Sequence, residues 1–254
     1  MVNDLGAALD GSGRDADVAE QVVKEIRAGG GTALADSGDV SSFEGGADMV
    51  ARTVAAFGRL DIVVNNAGIL RDKSFAAMTP EMIDAVLGVH LRGAFSVLKA
   101  AWPVMRERRY GRVVNTTSDS GIFGNFGQAN YGAAKTGLIG LTRVLALEGE
   151  RYGIKVNAIA PVGLTRMNQD LMTPERAAAA RVEQVSAVVT YLASAECPVS
   201  GEIISVRRGR VARIFIGIAK GYVNPDLVAE DVRNNWDRVW DLTGHDVPVT
   251  GARG

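Results

Sequence analysis

Short apolar runs alternate along the chain with longer stretches whose apolar positions recur every three to four residues. The short runs at 2–5, 32–35, 60–64, 112–116, 155–159 and 202–206 predict strands. The longer stretches at about 15–28, 41–57, 79–108, 128–152 and 173–195 predict helices. This alternation is the pattern of a doubly wound parallel sheet with helices on both faces. Thr79 followed by Pro80 reads as an N-cap with proline at the first helical position. Pro103 is expected to kink the same helix near its end. The alanine run 177–180 is helix-compatible. A closing unit, 207–254, is expected to pack on the domain formed by 1–206. It holds an extra strand at 211–216 and an amphipathic helix at 225–242, with Val228, Val232, Trp236 and Val239 on one face.

Composition narrows the partners. At 254 residues the chain can form one full α/β domain with a sizeable core. Its 28 basic and 29 acidic side chains balance, so no nucleic acid or other polyanion is expected as a partner. The single cysteine, Cys197, cannot form an intrachain disulfide and reads as a small buried residue in a reducing compartment. No apolar run approaches the roughly 20 residues of a membrane span, so no membrane partner is expected. The first fifteen residues lack the basic and apolar regions of a signal peptide. The expectation is a soluble cytoplasmic protein acting on a small molecule.

The strongest chemical signal is Tyr131-Gly-Ala-Ala-Lys135. Four residues apart on a helix, the two side chains share a face. A phenol with a pKa near ~10 is a poor base at neutral pH. An adjacent ammonium favours the phenolate and is expected to draw that pKa down. Ser118, thirteen residues upstream and just past a predicted strand, could hydrogen-bond a substrate oxygen. Together these groups suit hydride transfer at a carbinol carbon. A Tyr-x3-Lys pair alone also fits a solvated helix face. Further polar or turn chemistry falls at predicted strand ends, where open α/β sheets bind ligands: Asp39-Val40, Asn65 to Gly68, and Asn157 to Pro161.

The sequence NNAG at 65–68, the S-x12-Y-x3-K spacing at 118, 131 and 135, and NAIAP at 157–161, in this order, resemble the short-chain dehydrogenase/reductase family over most of 1–206. The stretches NNAGILRDKSF and VVNTTSDSGIFGNFGQANYGAAK look like the (3R)-hydroxyacyl-CoA dehydrogenase unit of peroxisomal multifunctional enzymes and its bacterial relatives. The resemblance implies a Rossmann-like fold and a homodimer or homotetramer. It implies Tyr131 as catalytic base in oxidation, with Lys135 lowering its pKa and holding the nicotinamide ribose. Ser118 would orient the substrate oxygen. His90 occupies the position where the family usually has Asn. It reads either as support for a proton-relay water or as a helix-interface histidine. Asp4 resembles the acid that binds the adenosine ribose and repels a 2′-phosphate, implying NAD. Asp39 and Val40 match an adenine-contacting pair, with a plain loop acid as the other reading of Asp39. Asn66, Ala67 and Gly68 match the turn beside the cofactor. Ile159, Pro161 and Thr165 match the stretch that contacts the nicotinamide amide, although Val162 stands where the family usually has Gly.

The resemblance also sets an expectation about the front of the domain. The family begins with a strand, a Thr-Gly-x3-Gly-x-Gly loop and a helix that bind the pyrophosphate. No such loop precedes Val2. Gly11-Ser-Gly13 opens a predicted helix, but it lies too close to Asn65 for two strand–helix units to intervene. The expectation is therefore a fold lacking its first strand, loop and helix, weak or absent cofactor affinity, and a start at Met1 that is mis-set within a longer frame. Three functions remain open: an NAD-dependent dehydrogenase of a 3-hydroxyacyl thioester, an inactive paralogue surviving as a subunit, and a reductase of another carbonyl. Specificity is expected from a lid at 162–174, with Leu164, Met167, Leu171 and Met172 as its apolar residues.

Overall fold

The computed structural model describes residues 1–169 and 172–248. Leu171, one of the expected lid residues, lies outside them. The chain divides into two compact units, Met1–Arg213 and Ile214–Gly254.

In the first unit a parallel sheet orders β3 (Ile62–Asn65), β4 (Gly111–Thr116), β5 (Ile154–Val162) and β6 (Ile203–Arg207), followed by β7 (Arg210–Ile214). Arg208 and Gly209 link β6 to β7 with positive φ values of 47° and 80°, as a two-residue hairpin turn requires. Strand β4 is buried along its whole length, and its side chains alternate between two cores. Val113 faces α2 (Phe43–Phe57), α4 (Gly93–Arg108) and α6 (Ala129–Gly149), packed around Val50, Leu98, Met105 and Leu138. Val114 faces α8 (Val182–Ala193), packed around Ile159, Leu192 and Cys197. This two-sided α/β sheet is the expected fold class.

A second, two-stranded parallel sheet joins β1 (Val2–Asn3) to β2 (Ala35–Asp36) through α1 (Asp17–Ala28). No described strand bridges β1 and β3. The outer edge of β3 is exposed rather than buried: Ile62 and Val64 are 46% and 43% accessible, whereas Val63 between them is buried against α4. Helix α8 covers β4, β5 and β6. Strand β3 thus lacks both an edge partner and a cover on one face, and water solvates its free backbone groups.

Several boundaries differ from expectation. The stretch 79–108 is divided into α3 (Pro80–Leu87), a π-helical turn (Gly88–Arg92) and α4. Helix α4 runs past Pro103 to Arg108, and the π turn precedes it. The Thr79 hydroxyl accepts from the Met82 amide at 3.4 Å, as a cap should. The stretch 173–195 is α7 (Pro174–Ala179) and α8, separated at Ala180, whose ψ of 54° is non-helical. Strand β5 continues three residues beyond the expected end because β6 keeps pairing with it to Val162.

In the second unit the expected single helix at 225–242 is two short ones, α9 (Ala229–Asn234) and α10 (Trp236–Trp240). The break is Asn235, whose side-chain amide donates to the Asp231 carbonyl at 3.0 Å and whose backbone sits at φ −113°, ψ 18°. The ring faces of Phe215 and His245 stack, and Ile218 pairs with Asp246.

The uncovered face of β3 predicts a contrast in stability. Val64→Thr should change unfolding free energy by within about 0.5 kcal/mol, as at other surface positions. Met105→Ala, in the closed core, should cost about 2–5 kcal/mol. Urea unfolding midpoints at constant m-value check both.

Candidate active site

Strand β4 ends in Thr116-Thr117-Ser118, and α6 passes over that end. Lys135 is 3% exposed, and its ammonium donates to the Thr116 carbonyl at 2.6 Å. The Thr117 hydroxyl donates to the Lys135 carbonyl at 2.6 Å, so strand end and helix are clasped in both directions. Close approach here requires glycine: a Cβ on Gly121 would lie 2.8 Å from the Lys135 Cβ. Ser118 has an extended backbone and caps the one-turn helix α5 (Asp119–Phe123), its Oγ accepting from the Ser120 amide at 3.2 Å.

Tyr131, Ser118 and Lys135 meet. Ser118 is close enough to the Tyr131 phenol to favour its phenolate form, and the Lys135 Nζ lies 5.4 Å from its ring centroid. The electrostatics differ from the sequence expectation. Burial raises the Tyr131 pKa above its ordinary value and outweighs Ser118, which lowers it, while the charge of Asp72 adds a further rise. Burial drives Lys135 down to about 7. The phenol therefore lies above its ordinary value rather than below it as expected, because burial disfavours its charged form.

His90 lies in the π turn, a local irregularity that recurs at functional sites. It is 4% exposed, and its ring meets the Tyr131 ring edge-on at 5.1 Å. Its Nε2 lies 2.8 Å from the Ile69 carbonyl and 3.0 Å from the Ile69 amide. Its Nδ1 is buried without a partner among the described residues. Burial, with the charge of Lys135, pushes its pKa down to about 3, so the ring is neutral. Gly68 is required beside it, since a Cβ there would overlap the imidazole.

The other expected cofactor residues are spread over both sheets. Asn66 Oδ1 accepts from the Thr116 hydroxyl at 3.2 Å. Asn65, Asn115 and Thr142 form a relay of amide and hydroxyl bonds at 2.8 and 2.9 Å across β3, β4 and α6. Asp4 follows β1 and accepts from the Gly6 amide at 2.7 Å. Asp39 accepts from the Ser41 amide and hydroxyl at 2.9 and 2.7 Å, and Val40 packs into the core beside α2 and α4. Ile159 is core, and Pro161 is paired within β5. Thr165 opens a turn, its amide donating to Asn168 Oδ1 at 2.9 Å. Asn115, Thr142, Gly121 and the carbonyl of Thr116 were missed by sequence reasoning. A polar residue inside an apolar strand was the available signal for Asn115.

A nicotinamide dinucleotide fits one half of this arrangement. The buried Lys135 ammonium has one protein acceptor for its three protons, and Asp4 keeps carboxylate capacity for a ribose. The turn at Gly11 to Gly13 does not fit a pyrophosphate. Its Ser12 amide donates to Asp10 and the Asp17 amide to Asp15, while Asp17 and Glu20 make the first turn of α1 acidic. Among the described residues no group of three or more His, Cys, Asp or Glu could hold a metal ion, and no helix is long and apolar enough to cross a membrane.

This arrangement is that of a short-chain oxidoreductase. A sequence model of the family described as short chain dehydrogenase matches residues 3–176, and the chain belongs to that family. It is 47% identical over 246 residues to a short-chain type dehydrogenase/reductase of Mycobacterium tuberculosis, covering 96% of this chain and 86% of the relative. It is 40% identical to the mouse peroxisomal multifunctional enzyme type 2, covering 98% of this chain but only 34% of that enzyme. An acetoacetyl-CoA reductase of Rhizobium meliloti is 41% identical over 185 residues, 68% of this chain and 76% of the relative. The crystal structure of a short chain dehydrogenase from Mycobacterium avium superposes with a TM-score of 0.79 at 38% identity, covering 99% of this chain and 89% of that one. The cytoplasmic expectation is corrected by these comparisons. The relatives from mouse, Saccharomyces cerevisiae and Dictyostelium discoideum are named as peroxisomal enzymes. A receptor-read organelle address leaves no apolar segment, so lacking one does not assign the cytoplasm.

The buried lysine makes a pH prediction. Its folded pKa of about 7 lies below its ordinary value of 10.5, so between these values the unfolded chain binds more protons. Stability from this group is present above the upper value and lost as pH falls toward the lower one. Urea unfolding from pH 7 to 9.5 should show stability rising by up to about 1.4 kcal/mol per pH unit from this source. In Lys135→Met that component of the slope should vanish.

Proposed function

We propose that the chain is an NAD-dependent oxidoreductase that moves a hydride between a secondary alcohol of the 3-hydroxyacyl-CoA type and NAD. The observation that carries this is the buried Lys135 ammonium at the carboxyl end of β4, with the Tyr131 ring centroid 5.4 Å from its Nζ. Nicotinamide supplies the hydride acceptor; the remaining work belongs to the chain. Ser118 donates to the substrate oxygen and fixes the carbinol carbon. Tyr131, as phenolate, takes the hydroxyl proton while the C–H hydride leaves, and the alcohol becomes a ketone. The proton then leaves Tyr131 toward solvent, and the Lys135 ammonium favours the phenolate that remains. His90, with its unpartnered Nδ1, sits against the Tyr131 ring and is placed to hold a water that carries the proton onward. Asp4 would repel a 2′-phosphate and so selects NAD over NADP.

The acetoacetyl-CoA reductase relative favours a second reading, reduction of a 3-oxoacyl thioester at the same site. The occupied amides of Gly11, Ser12 and Asp17 favour a third, an inactive paralogue kept as a subunit. We further infer self-association across α4 and α6, whose Phe95, Val144 and Leu147 are exposed.

Turnover of a 3-hydroxyacyl-CoA panel at millimolar NAD separates these readings. The proposal expects NADH formation, slower turnover with NADP, and a kcat about 10²–10⁴ lower in Tyr131→Phe. Faster reduction of acetoacetyl-CoA with NADPH would move the assignment to the reductase. Calorimetry showing no dinucleotide binding would move it to the inactive subunit.

A further inference from the structure

We propose that Arg207 is a positioning residue, holding Ser118 beside Tyr131 through the carboxylate of Asp119. The inference rests on the oxidoreductase reading of that cluster, but its test needs no turnover.

Ser118 lies on a short link between β4 and α5. The side toward α6 is fixed by two contacts: the Thr117 hydroxyl donates to the Lys135 carbonyl, and the Thr136 hydroxyl donates to the Gly121 carbonyl. The Thr117 amide donates to the Ile159 carbonyl of β5 at 2.7 Å, which fixes the residue before Ser118 to the sheet. The side toward β6 has a different tie. Asp119, next in sequence to the serine, forms an ion pair with Arg207, the last residue of β6. Arg207 is itself in register with Val162 of β5, so its backbone is anchored to the sheet.

The pair is only partly solvated. The Asp119 side chain is 24% exposed, and its second oxygen, Oδ1, is buried without a hydrogen-bond partner. Removing the guanidinium would leave this carboxylate without its counter-charge in a place that does not hydrate it. The carboxylate would have to turn outward to reach water, and the adjacent Ser118 would turn with it. The hairpin does not need Arg207 for its shape, because Arg208 and Gly209 make the turn. Sequence reasoning singled out neither Asp119 nor Arg207, since they lie 88 positions apart and only the sheet brings them together.

The readout is the titration of the Tyr131 phenol, followed by NMR in protein labelled at tyrosine Cζ. Ser118 draws this pKa down against burial, so freeing Ser118 raises it. Arg207→Met is expected to move the midpoint upward by as much as Ser118→Ala does. In the Ser118→Ala background Arg207→Met should then add nothing. Asp119→Asn combined with Arg207→Met, which leaves the net charge unchanged, should keep the raised midpoint. Arg207→Lys, which keeps the charge and folds around the same pair, should restore most of the original value. An unchanged midpoint in Arg207→Met would overturn the proposal. So would an equal rise in the Ser118→Ala background, which would mean that Arg207 acts on the phenol by charge alone.

Discussion

The Lys135 ammonium reaches the Thr116 carbonyl from inside the fold, and this single contact sets where everything else in the site can lie. A charged amine with 3% exposure is costly to bury, and one strong acceptor at a strand end offsets only part of that cost. The contact requires α6 to cross the end of β4 closely, which Gly121 permits. Tyr131 is then one helical turn away on the same face, above the point where Ser118 leaves the strand. His90 closes the arrangement from the π turn, at a depth that only a glycine at position 68 allows.

Burial leaves the three titratable groups of this cluster biased toward neutrality. Tyr131 is pushed up, His90 down to about 3, and Lys135 down to about 7. A neutral phenol is a poor base, so the chemistry needs a nearby positive charge to favour the phenolate. Lys135 is poised to supply it near neutral pH, where a small change in hydration or partner decides whether it holds its proton. The geometry is thus preorganised while the charge state is left to be set by what enters the cleft.

Much of this was legible in the sequence. Apolar runs and helical periodicity placed the parallel strands because β4 and most of β5 are buried on both faces. The Tyr131–Lys135 spacing, Ser118 just past a strand, and Gly68 in a strand-end turn were readable because local backbone geometry alone brings them to one end of the sheet. What escaped depended on tertiary contacts. The π turn at 88–92 leaves no mark in the helical pattern, since a one-residue insertion is absorbed by packing. The break at Asn235 turns on one side-chain amide competing with the helix. The pairing of Asp119 with Arg207, and the bonds linking Asn65, Asn115 and Thr142, exist only once the strands are in register. The direction of the Tyr131 shift was misjudged because charge proximity is visible in spacing and burial is not.

The central claim is that Tyr131, Ser118 and Lys135 act on a secondary alcohol whose carbinol hydrogen leaves as hydride. Deuterium tracing addresses it most directly. A 3-hydroxyacyl-CoA deuterated at the carbinol carbon is incubated with the chain and millimolar NAD, and the dinucleotide is analysed by mass spectrometry. The account predicts deuterium on the nicotinamide ring, formed far more slowly in Tyr131→Phe. Label released to solvent, or transferred equally well by Tyr131→Phe, would contradict it.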